Sequence, residues 1–80
     1  MIHVMIDMYV NERTDRESPD SQTIAEQITD ELIHKGSLNK CKGYFINTIV
    51  FNEKTRNRGS CNFRKVNNND SREESTKCDS

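Results

Sequence analysis

Two histidines and three cysteines are the residues of this chain with the widest chemical reach. His3, His34, Cys41 and Cys61 carry atoms that zinc accepts, but zinc centres group such ligands at short regular spacings, C-x-x-C above all. Cys41, Cys61 and Cys78 stand 20 and 17 positions apart, so no metal centre is expected. The histidines read instead as a strand residue and an exposed helix-end residue. Acid–base catalysis needs a carboxylate held with a partner in a pocket. Asp7 is the one acid inside a strand pattern, and it marks a solvent face better than a catalytic base. The chain has no G-x-S-x-G, Walker or dinucleotide-binding glycine pattern, and with three glycines it offers little for a phosphate-cradling loop. The expectation is a chain that is not an enzyme and uses no cofactor. The odd cysteine count and the lack of a secretory leader point to free thiols in a reducing, cytoplasmic compartment. No apolar run reaches membrane-spanning length.

The other candidate chemistry is charge. Residues 1–36 carry eight acids against three bases, residues 37–66 one acid against seven bases, and residues 67–80 four acids against two. The net charge of −1 therefore conceals a strongly dipolar chain. Lys54, Arg56, Arg58, Arg64 and Lys65 form the basic group. Lys54, Arg56 and Arg58 alternate, which projects them from one side of a turn. They could bind an acidic protein patch or nucleic-acid phosphate; equally, a charged turn keeps a hairpin soluble. No aromatic pair interleaves these arginines in the sequence, which weighs against single-strand stacking.

The elements that position these residues follow from periodicity. Gly43 to Val66 holds the longest apolar run, with β-branched and aromatic residues on both faces of 44–51, as in a doubly contacted strand. NEKTRNRGS follows as a turn, with Asn57 and Gly59 suited to positive φ. A shorter strand over 61–66 completes a hairpin with a basic tip. A turn centred near Thr55–Asn57 would set Phe51 opposite Cys61 and Ile49 opposite Phe63. Ile2, Val4, Ile6, Met8 and Val10 alternate with His3, Met5, Asp7 and Tyr9, the pattern of a half-buried strand. Residues 11–18 are polar and read as a loop. The spacing then predicts a helix over 19–35, capped by Ser18, opened by Pro19 and Asp20, and stopped at Gly36. Its apolar stripe is Ile24, Ala25, Ile28, Leu32 and Ile33. Leu38 can fold back on the helix end. Residues 68–80 have no Val, Ile, Leu or aromatic residue to offset ordering entropy and are expected to be a disordered polar tail.

The fold class expected is α+β, a single β-α-β-β domain over 1–67 with one helix on a three-stranded sheet. If the first two strands are neighbours they run parallel; if the first pairs with the third, the sheet is antiparallel throughout. Either way one sheet face has no helix to cover it. That face would carry Tyr9, Met5 and either Tyr44 or Phe45, and a second copy or another protein could cover it. With 31% hydrophobic residues the core is thin. The functional expectation is a small protein-binding module, an inhibitor or adaptor acting on a larger host protein, with the size and the Asn-, Lys- and Ile-rich usage of a phage or mobile-element product. The alternative is a nucleic-acid-binding module using the basic hairpin. No membrane contact is expected.

Overall fold

The computed structural model describes residues 1–12, 20–67 and 72–79. It is an α+β fold: β1 (Ile2–Val10), α1 (Ser21–His34), a 3₁₀ turn (Ser37–Lys40), β2 (Tyr44–Asn52), β3 (Arg58–Asn67) and β4 (Arg72–Asp79). The strands form one sheet in the order β1-β2-β3-β4, with β1 parallel to β2 and the other neighbours antiparallel. The parallel alternative is therefore the one adopted, with α1 as the crossover between β1 and β2.

The sheet has four strands, not three. Residues 72–79, expected to be disordered for want of apolar side chains, pair along β3 from Asn67↔Arg72 to Ser60↔Asp79. Backbone hydrogen bonding needs no apolar residue when a neighbouring strand offers a free edge. Cys78 adds a covalent tie: it lies opposite Cys61 and forms a disulfide with it. Two of the three cysteines expected to be free thiols are thus paired, and Cys41 is the free one. Residues 68–71 and Ser80 lie outside the described residues.

The helix starts later than its pattern implied. Asp20 is the N-cap, with extended backbone and a side chain that accepts from the Thr23 amide at 2.8 Å. That hydrogen bond holds the Asp20 carboxyl below the usual carboxylate range. Ser18 and Pro19, the expected cap and first turn, lie outside the described residues, as does most of the expected 11–18 loop. At the other end the amides of Lys35 and Gly36 both donate to Glu31 O. Gly36 is not left-handed; its backbone passes so close to Leu32 that a Cβ would press on the Leu32 carbonyl.

The helix lies over β2 and β3. Alternate residues of β2 (Tyr44, Ile46, Thr48, Val50 and Asn52) are buried beneath it. Leu38, Tyr44, Ile46 and Phe63 form one apolar cluster, flanked by Val4, Leu32 and Ile33. Ala25, Val50 and Cys61 form the other, flanked by Val10, Ile24 and Ile28. Between them Thr29 and Thr48 share a buried hydrogen bond of 2.9 Å, and the Thr29 hydroxyl also bonds Ala25 O at 2.8 Å. Polar atoms at the middle of the core are therefore satisfied by one another.

The hairpin is tighter than its composition implied. Asn52, 3% exposed, accepts the amides of Lys54 and Thr55 on its side-chain oxygen, and its own backbone exchanges bonds with Asn57 and Arg56. Pairing then runs Phe51↔Arg58, Thr48↔Cys61 and Ile46↔Phe63, three residues away from the expected register. An odd shift exchanges faces: Cys61, Phe63 and Lys65 turn toward the helix, and Arg58, Asn62 and Arg64 turn away. Arg56, not a glycine, takes the positive φ, 63°. Gly59 is needed for a different reason. It is a buried strand residue opposite Val50, and a Cβ there would overlap the backbone of Ser21 and Gln22 at the helix start. Gln22 completes that junction, its amide bonding both the N–H and the C=O of Ser60.

Candidate binding surface

The register fixes what shares the open face of the sheet. One cross-strand row is His3, Phe45, Arg64 and Ser75; the next is Met5, Asn47, Asn62 and Lys77; a third contains Asp7, Ile49 and Ser60; the last is Tyr9, Phe51 and Arg58. Of the two aromatic alternatives, Phe45 belongs here and Tyr44 to the core. Met5 is 78% and Tyr9 70% exposed. His3 packs on Phe45 with ring centroids 4.9 Å apart, and the Arg64 guanidinium lies over the same ring at 5.2 Å. Tyr9 meets Phe51 edge-on at 6.3 Å. A shallow depression of about 460 Å³ opens where His3, Met5, Phe45, Asn62, Arg64 and Lys77 converge, and among the described residues no acidic side chain lines it.

The five basic residues singled out in the sequence do not form one patch. Lys54 and Arg56 are exposed in the turn. Arg58 and Arg64 stand on the open face, beside Phe51 and Phe45. Lys65 is on the helix side, its ammonium 5.8 Å from the Tyr44 ring centre. The sequence shows no aromatic interleaved with the arginines, yet the pairing of β2 with β3 supplies one beside each of the two on the open face. Lys77 joins them only through the pairing of β4 with β3, which no apolar pattern in 68–80 signals.

The other sequence candidates are dispersed. His3 is on the open face, whereas His34 is on the helix, 3.2 Å from Asp30 and exposed with it. Cys61 is committed to Cys78. Among the described residues no three metal-ligating side chains converge. Asp7 is exposed opposite Ile49. Burial pushes the Tyr44 phenol above its ordinary value, with the neighbouring charges of Glu74 and Cys41 acting in the same direction. Among the described residues no helix is long and apolar enough to cross a membrane. Comparison with protein-family models, with curated proteins and with solved structures finds no match.

Proposed function

We propose that this chain is a small non-enzymatic protein-binding module that docks onto a larger protein through the open face of its sheet. The observation that carries this reading is a face of aromatic, sulfur and mainly basic side chains, with the acids Asp7 and Glu73 on its two edge strands and no covering layer among the described residues. The chemistry fits a partner surface that is apolar and acidic: Phe45, Phe51 and Tyr9 supply area, and Arg58, Arg64 and Lys77 set the sign. An inhibitor or adaptor from a phage or mobile element is the kind of molecule this describes. Arg58→Glu with Arg64→Glu should abolish capture of a partner from bacterial lysate, whereas Arg56→Glu in the turn should leave it intact. Equal capture by the face variant and the parent would refute the face; loss with Arg56→Glu would move the contact to the hairpin tip.

A second reading, single-stranded nucleic acid on the same face, draws support from Arg64 over Phe45 and Arg58 beside Phe51, since bases stack on aromatic and guanidinium planes. The acidic first half of the chain ranks it below protein binding. A gel-shift assay with single-stranded and duplex DNA and RNA at low salt tests it; absence of a shift removes it. A cytoplasmic setting belongs to the leading proposal, and the cysteines bear on it, because structural disulfides are rare in reducing compartments. Thiol trapping in cells that finds Cys61 and Cys78 protected would count against that setting.

A further inference from the structure

We propose that the chain forms a two-fold homodimer by antiparallel pairing of β1 with β1 of a second copy, centred on Met5. This does not depend on what occupies the open face.

β1 is an edge strand of nine residues with no proline or lysine and a single charge, Asp7. It lacks the features that usually keep a free edge from pairing with another chain. Among the described residues the exposed large hydrophobics are Met1, Ile2, Met5, Met8 and Tyr9, at 68, 46, 78, 37 and 70%. All belong to this strand and the residue before it. They lie on both of its faces, so a partner covering one sheet face would leave the others in water. A strand added at the edge contacts both faces at once.

The order of these residues is self-complementary. A two-fold axis normal to the sheet keeps each residue on its own face, so directly opposed residue numbers must sum to an even value. Centred on Met5, Met1 opposes Tyr9 of the second copy, Ile2 opposes Met8, and Met5 opposes itself. Every exposed hydrophobic is then matched with another. Val4 opposes Ile6, both half-buried, and His3 opposes Asp7, placing the strand's one carboxylate against its one imidazole. The neighbouring registers lose this match. Centring on Ile6 sets Asp7 against Met5, centring on Asp7 sets two carboxylates against each other, and centring on Val4 sets Asp7 against Met1. The product is one eight-stranded sheet with both helices on one side and the two open faces continuous on the other. β4, with no aliphatic or aromatic residue, forms both outer edges.

Sedimentation velocity on the full chain over a wide concentration range should show twice the 9.3 kDa mass. Met5→Lys puts like charges at the axis and should weaken the dimer by at least about tenfold. Met5 is exposed, so circular dichroism should be that of the folded parent. Register is read separately, in a Cys41→Ser background. Met5→Cys should give a disulfide between its two copies under mild oxidation, whereas Asp7→Cys should not. A monomer at every concentration, a dimer unaffected by Met5→Lys, or cross-linking through position 7 rather than position 5 would each overturn the proposal. None of these outcomes touches Arg58 or Arg64, on which partner capture is tested.

Discussion

The two edges of this sheet are built on opposite principles. β1 carries apolar residues on both faces, pairs in parallel with β2, and keeps much of its apolar surface in water. β4 has no aliphatic or aromatic residue in its REESTKCD sequence, yet it holds its place along β3. Burial drives association without specifying a partner; backbone pairing specifies geometry but adds little net free energy in water. The polar strand is held by ladder pairing together with a covalent link, Cys61–Cys78, and the apolar strand has no such link. The helix reflects the same split. It covers β2 and β3 and leaves a depression of about 460 Å³ beside β4, lined in part by Ile33, Tyr44, Phe63 and Cys78.

The most severe way to disturb both edges is to remove what they share. Ile46 is 1% exposed, lies between Val4 and Phe63 in the ladder, and anchors the larger cluster. Ile46→Ala should cost about 3–4 kcal/mol in urea unfolding, a large share of what a domain of this size has.

Next comes the disulfide, which should separate the two edges. It closes a loop with a sequence separation of 17. Reduction should lower stability by about 3 kcal/mol. Amide exchange should speed up in β4 and stay slow in β2. If reduction leaves β4 protected, backbone pairing alone suffices and the contrast with β1 fails.

A smaller effect concerns the helix start, which is fastened to β3 beside the end of β4. The Asp20 carboxyl is depressed below its ordinary value of 3.8 by the Thr23 amide. A depressed carboxylate stabilises the fold above its unfolded-state value, and that stability is lost as pH falls through the folded one. Thermal melts of the parent should therefore weaken below about pH 4, and Asp20→Asn should flatten that part of the profile. The alkaline limb carries the opposite sign: Tyr44, raised by burial, favours the folded state until pH climbs past the ordinary phenol value of 10.0.

The smallest change expected is at the hairpin tip. Arg56 holds a left-handed backbone that glycine adopts freely. Arg56→Gly should stabilise by less than about 1 kcal/mol and leave both edges unchanged. A clear loss of stability would mean the Arg56 side chain holds the turn.

Much of the frame was legible in the sequence because it rests on local periodicity. Alternation over 2–10 and 44–51, and the apolar stripe from Ile24 to Ile33, specify a strand, a strand and a helix whatever surrounds them. The uncovered sheet face followed from counting one helix against one sheet. The basic group was legible as composition but not as a surface. Alternation alone separates Arg64 from Lys65; the turn, three residues tighter than its composition implied, decided that Arg58 and Arg64 take the open face and Lys65 the helix side.

By itself, then, the sequence determined the class of fold, the helix, the alternating first strand, and the concentration of positive charge between residues 37 and 66. Each is a property of neighbours along the chain. The tertiary structure decided what depends on distant residues meeting. Asn52 closes the turn and so sets the register. Gly59 lets the helix start approach β3. β3 offers an edge along which a stretch with no hydrophobic signal pairs as a fourth strand, and Cys61 reaches Cys78 within that ladder. Pairing partners contribute hydrogen bonds and a disulfide that no local pattern encodes, because neither partner shows the other's position until the chain has folded.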